Sequence, residues 1–322
     1  MSRLDTVRRA INFEYPAYIP LLYFNGDRND SDIIMIDVEH HFGGTGENRS
    51  EWGFVWNRAD NTMGQPDAPV LTTRSELGSY RPPEADAPGR LESAYSDFKQ
   101  YGGDRYYLAS LGLSGFTIMS FLWGFSRLME DLILEPATIS DLADIVFHTE
   151  MKIIEKAASL PFNGIAFFDD WGTQSGMIMS PGLWREHFKE RYRLQFQLCH
   201  AHHLDVYFHS CGFYQPIIED LIEIGVDMFN LSQPNVYDIS TLGVEFRGRV
   251  CFVCPVSYQT TSISGSCEDI QRSVVELADA FALCSGGFIG YVEEYESIGM
   301  SDENYRCCVD AFRNLRPNET RR

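Results

Sequence analysis

Residues 204–234 read LDVYFHSCGFYQPIIEDLIEIGVDMFNLSQP, and this stretch decides the fold. An apolar run, Val206-Tyr207-Phe208, ends in His209-Ser210-Cys211-Gly212. After Pro216, the residues Ile217, Ile218, Leu221 and Ile222 recur at helical spacing, and Gly225 stops them. A second apolar run, Met228 to Leu231, follows at once. The pattern is strand, helix, strand. Strands without polar alternation are buried on both faces, which is the condition of a parallel sheet covered by helices. Because residues i and i+2 of a strand share a face, His209 and Cys211 present an imidazole and a thiol to the same object.

The alternation continues outward from this unit. NGIAFFDDWG (163–172) reads as a strand, and SPGLWREHFKERYRLQFQLCHAHHL (180–204) as a helix, with Ser180 as its cap and Pro181 in the first turn. Downstream, ISTLGVEFRG, RVCFVCPVS, CEDIQRSVVELADAFAL, GGFIGYVEE and SDENYRCCVDAFRNL read as helix, strand, helix, strand and helix. Upstream, YIPLLYF (18–24) is a candidate first strand, while FTIMSFLWGFSRLMEDLIL (116–134) and ISDLADIVFHTEMKIIEKAASL (139–160) are candidate helices. This number of β/α units predicts a single (β/α)8 barrel domain over 1–322. Residues 25–105 are rich in Gly and Pro and read as an N-terminal elaboration or lid, with a hairpin at EWGFVW (51–56).

The chain has 322 residues and a net charge of −20. Nucleic-acid binding relies on clustered Lys and Arg, so this charge argues against it. No apolar span of membrane length is present, and the first residues, MSRLDTVRRAINFEYP, lack a signal-peptide core; a cytoplasmic protein with no membrane partner is expected. The eight cysteines are irregularly spaced, which predicts reduced thiols or metal ligands rather than a disulfide framework.

Chemistry in such a barrel sits where strands end at the C-terminal rim. Asp169-Asp170, His209-Ser210-Cys211, Cys254 and Glu293-Glu294 all fall at predicted strand ends. Asp169 and Asp170 are the candidate catalytic carboxylates, one of them to orient the substrate or a metal-bound histidine. His200, His202 and His203 precede the strand and belong to the opposite rim. Tyr207, Phe121 and Trp123, with Trp52 and Trp56, are candidates to line an apolar substrate pocket.

FFDDWGTQSGMIMSPGLWREHFKERY (167–192) followed by VYFHSCGFYQPIIEDLIEIGVDMFNLSQP (206–234) resembles the uroporphyrinogen decarboxylase superfamily, in particular its branch of cobalamin-dependent methyltransferases. RLDTVRRAINFEYPAYIPL (3–21) and MSDENY (300–305) extend the likeness to most of the chain. The decarboxylases resemble one another in an Arg-rich N-terminal segment that grips substrate carboxylates; IPLLYFNGDRNDSD (19–32) holds Arg28 without such a cluster. The methyltransferase branch implies a zinc site built from a His-x-Cys pair and a later cysteine. His209 and Cys211 keep the pair, while alignment from DENY puts Glu293-Glu294 where the last cysteine is expected. Glu294 is the expected oxygen ligand there, and Cys254 is the alternative that would return a sulfur.

The resemblance therefore implies a zinc-dependent methyltransferase that moves a methyl group between a small substrate, a methyl ether or a thiol, and a corrinoid (cobalamin) held by a separate corrinoid protein. A homodimer is compatible with the sequence. The rival expectations are a metal-independent decarboxylase of a uroporphyrinogen-like or other carboxylic acid, with Asp170 as the polar handle, and a non-catalytic barrel that binds a small ligand.

Overall fold

In the computed structural model, which describes residues 1–24, 28–41, 48–57, 64–293 and 298–315, eight parallel strands close on themselves in the order β1-β10-β9-β8-β7-β6-β5-β2. They are β1 (Leu21–Tyr23), β2 (Ile33–Asp37), β5 (Tyr106–Ser110), β6 (Gly164–Phe168), β7 (Asp205–Ser210), β8 (Met228–Leu231), β9 (Cys251–Pro255) and β10 (Phe288–Val292). The remaining two, β3 (Trp56–Asn57) and β4 (Gln65–Pro66), form a small antiparallel pair outside the barrel. Helices follow the barrel strands in turn from β2 onward, and among the described residues β1 leads to β2 without one; the closed eight-stranded barrel with flanking helices is the predicted (β/α)8 architecture.

Every barrel strand has two buried faces, which is why its sequence shows continuous apolar character. One set, including Leu22, Ala166, Tyr207, Met228, Val253 and Ile289, packs inside the barrel. The alternate set, including Phe167, Phe208, Phe229, Phe252 and Cys254, packs outward against the helices. Register places Phe168, His209, Asn230 and Val253 at one level on adjacent strands. Ser180 caps its helix as expected, accepting from Leu183 N at 3.2 Å; such a cap contributes about 1 kcal/mol.

Three expectations need correction. The elaboration does not begin at residue 25, because Ile33–Asp37 within it is the second barrel strand, paired with β1 and β5. The extra segment is therefore inserted between β2 and β5, and it contains β3, β4 and the bridge Arg49↔Val55 across the expected EWGFVW turn. The run 116–134 is two helices, Gly115–Trp123 and Phe125–Leu134, because Gly124 adopts φ 86, which ends the first. Finally, Cys267 and Cys307 are disulfide-bonded, 40 residues apart. Packing of Cys267–Phe281 against Asp302–Asn314 brings their Cα atoms to 5.5 Å, which no sequence spacing reveals. Among the described residues, no helix is long and apolar enough to cross a membrane.

Candidate metal centre

Inward parity on β7 carries Tyr207 and His209 into the barrel, and the same parity continues to Cys211 just past the strand's end. On the neighbouring strand, the first inward residue after β6 is Asp170. Its Oδ1 accepts the backbone N–H of Cys211 at 2.7 Å. Two glycines permit this approach. A Cβ on Gly212, which adopts φ 71, would lie 2.3 Å from the Gly172 backbone, and one on Gly172 would lie 2.3 Å from Phe213 N. The two strand-end loops thus touch backbone to backbone.

One ligand atom from each of Asp170, His209 and Cys211 lies within 4.8 Å of the others, and no other such trio of His, Cys, Asp or Glu occurs among the described residues. Cys211 Sγ is 3.6 Å from His209 Nε2, and Asp170 Oδ1 is 3.8 Å from the same nitrogen. Tetrahedral zinc, with bonds of about 2.0 Å to nitrogen and 2.3 Å to sulfur, places those two donors about 3.5 Å apart. The donor set, one imidazole, one thiol and one carboxylate, fits zinc on chemistry and on spacing.

The imidazole is prepared for this role. Asn230 Nδ2 donates to Val253 O at 2.8 Å, which turns its Oδ1 toward His209. His209 Nδ1 lies 2.6 Å from that Oδ1 and must therefore carry the proton. Nε2 is left as a lone pair facing Cys211 and Asp170. Burial pushes the imidazole below its ordinary pKa, against the pull of Asp170 and the Asn230 bond, so the neutral, ligating form prevails. Burial pushes the Cys211 thiol up, and the Asp170 charge adds to this. A divalent cation reverses that electrostatic logic, because it stabilises the thiolate and carboxylate together.

Below the trio lies an aromatic floor. The Phe168 ring sits 4.7 Å from the His209 ring, Tyr207 and Phe24 each lie 6.1 Å from Phe168, and Tyr291 lies 6.0 Å from Phe24. The Tyr207 hydroxyl is buried and has no hydrogen-bond partner among the described residues. Tyr291 hydrogen-bonds to Glu293, whose charge also acts on Tyr207, Cys211 and Tyr258. Glu293 therefore borders the trio without belonging to it.

The model of the uroporphyrinogen decarboxylase (URO-D) family matches residues 61–292. The chain belongs to the uroporphyrinogen decarboxylase family. The fold agrees with that of a methyltransferase from Methanosarcina mazei, at TM-score 0.66 and 16% identity over 81% of this chain and 75% of that one. A chitinase from Chromobacterium violaceum is similar at TM-score 0.42 and 10% identity, covering 93% of this chain and 100% of that one, too distant to carry an argument. No match was found among curated proteins.

In this uroporphyrinogen decarboxylase-family barrel, the remaining predicted site residues divide. Cys254 faces outward between barrel and helices and is fully buried there, so it cannot reach the trio; strand parity, visible in CFVCP, gives Val253 the inward position instead. Asp169 likewise faces away from the axis. Its carboxylate accepts Phe116 N, Thr117 N and Thr117 Oγ, each at 2.8 Å, and the Tyr192 hydroxyl, so it anchors the helix Gly115–Trp123. Burial pushes it up to about 7. Trp123 is buried outside the barrel, with Nε1 donating to Asp131 at 2.8 Å and Arg127 stacked on its ring. Phe121 packs edge-on against Phe54 and Trp56, while Trp52 donates to Glu39. Glu294 lies outside the described residues. His200 bonds Asp227, which immediately precedes β8, at the rim opposite the trio. Sequence reading did not single out Asn230, Ser232, Phe168 or Tyr258. Asn230 was findable, as a polar residue at inward parity within an apolar strand.

Proposed function

We propose that this chain binds zinc through Asp170, His209 and Cys211 and transfers a methyl group between a small substrate and a corrinoid carried by a separate protein. The observation that carries the reading is the convergence of a neutral imidazole, a thiol and a carboxylate at zinc-ligand spacing on two adjacent strand ends. Zinc held by three protein ligands keeps a position for substrate and acts there as a Lewis acid on an ether oxygen, or lowers the pKa of a thiol. The protein's own residues do the rest. Asn230 fixes the tautomer of His209, and the Gly172–Gly212 contact holds Asp170 against Cys211. The floor of Phe24, Phe168, Tyr207 and Tyr291 suits a flat apolar body, which favours an aryl methyl ether over a small polar thiol. Cleavage of that ether would leave both electrons of the O–CH3 bond on oxygen, as an aryloxide that solvent protonates on release, while reduced cobalt(I) of the partner's corrinoid would supply both electrons of the new bond to the methyl group.

Arg28 does not favour a polycarboxylate substrate. Its guanidinium is engaged by Asp97 at 2.6 Å and by Met35 O at 3.3 Å. The test is metal analysis coupled to methyl transfer. About one zinc per chain is expected in the wild type, and His209→Ala and Cys211→Ala should each lose it together with nearly all transfer to a corrinoid protein, followed by the corrinoid's absorption. Zinc-free protein that turns over a carboxylic acid without a corrinoid would replace this reading with decarboxylation. Binding of a small ligand with neither metal nor turnover would leave a binding barrel.

A further inference from the structure

Ser232 immediately follows β8, at the inward position two residues beyond Asn230. It is 3% exposed, and its Oγ lies 3.8 Å from Cys211 Sγ. On its other side, Ser232 Oγ hydrogen-bonds the Tyr258 hydroxyl, which comes from the loop after β9. Tyr258 is partly exposed at the mouth, with Cys211, Glu293 and Asp170 as its electrostatic neighbours. Two hydroxyls from successive strand ends thus stand in a line that terminates on the sulfur of the trio.

We infer that Ser232 and Tyr258 are positioning residues for the sulfur ligand: Tyr258 donates to Ser232, and Ser232 donates to Cys211 once the sulfur is a metal-bound thiolate. This rests on the metal reading above. A thiol offers a proton to Ser232 and a thiolate can only accept one, so ligation sets the direction of the whole line. A hydroxyl that donates to a thiolate stabilises the anion over the thiol, which favours ligation, and it draws electron density from the sulfur, which leaves the metal a stronger Lewis acid at its open position. Fixing the Cys211 rotamer from the side away from Asp170 also holds the sulfur at its distance from His209 Nε2. A purely structural role would require only that the two hydroxyls satisfy each other, and would leave the sulfur unaffected.

Cobalt(II) titration of the apoprotein separates these roles, because the sulfur-to-cobalt charge-transfer band reports on the thiolate directly. Ser232→Ala should shift that band to longer wavelength and lower cobalt and zinc affinity by about tenfold or more, the range expected for a partner of a metal ligand. Tyr258→Phe should shift the band the same way by less, and Ser232→Thr, which keeps the hydroxyl, should restore both band and affinity. Thermal unfolding of each apoprotein, matched to wild type, rules out a general loss of structure. If wild type shows the band and Ser232→Ala reproduces it at wild-type affinity, this inference fails and the metal centre stands. If wild type takes up no cobalt, the metal centre itself fails, and this inference falls with it.

Discussion

Asn230 is a polar side chain fully buried inside the barrel, and both of its amide ends are used: one on Val253 O, the other on His209 Nδ1. Buried polar groups are costly unless paired, so its two bonds define the rotamer and, through it, the histidine tautomer. Asn230→Ala should weaken zinc binding by about 10- to 100-fold while the ligands stay in place, as measured by competition with a chromophoric chelator. Cys254 supplies the contrast. Its thiol lies in the apolar layer behind the strand, so Cys254→Ser buries a hydroxyl there at a cost of about 1–3 kcal/mol. Denaturant unfolding should show that loss, and zinc affinity should not change. A two-sulfur metal environment by X-ray absorption would contradict this placement of Cys254.

Between β2 and β5, the inserted segment is held by a buried cation rather than by long strands. Arg90 is 2% exposed and donates to Glu51 through both terminal nitrogens, at 2.9 and 2.7 Å, and to Val38 O, Glu84 O and Ala85 O. Burial pushes the Glu51 carboxyl up. The Arg90 hydrogen bonds and charge, with the His40 N–H, more than offset this and leave it below its ordinary value of 4.5. A folded-state value below the unfolded one means that the stabilisation is complete above the unfolded value and is lost as pH falls through the folded one. Wild type should therefore lose stability below about pH 4.5 partly through this pair. Glu51→Gln should cost about 3 kcal/mol at neutral pH and flatten that acid limb, measured by denaturant midpoints across pH. An acid limb identical in both proteins would assign the loss to other carboxylates.

At the scale of the molecule, the barrel seals where β10 meets β1. The two helices that flank β10, Cys267–Phe281 and Asp302–Asn314, are tied by the Cys267–Cys307 bond. Closing a loop with a sequence separation of 40 constrains the unfolded chain by about 4 kcal/mol in the chain-entropy model. The double variant Cys267→Ala/Cys307→Ala should lower unfolding free energy by up to that amount with zinc content unchanged. Mass analysis with and without reduction checks the bond itself.

The continuous apolar runs around His209 were enough to determine a parallel, helix-covered sheet, because burial on both faces removes polar alternation from a strand, and the number of β/α units pointed to its closure as a barrel. They also determined that His209 and Cys211 share a face, since that follows from strand period alone. Two strands beside the inserted segment escaped this reading. Ile33–Asp37 and Tyr106–Ser110 are no shorter than strands that were legible, but the sequence between them is Gly/Pro-rich and irregular, so no adjoining strand–helix alternation marks them out. Parity could have turned Cys254 outward, but only once β9 was anchored to its neighbours. Which of two adjacent aspartates joins the imidazole and thiol was decided by tertiary structure. Asp169 and Asp170 have the same chemistry and differ by one position. The closed sheet sends one into the helix layer beneath Phe116 and Thr117 and the other into the mouth against Cys211. Closure of the barrel sets that direction through contacts more than 40 residues apart, and no local pattern encodes them.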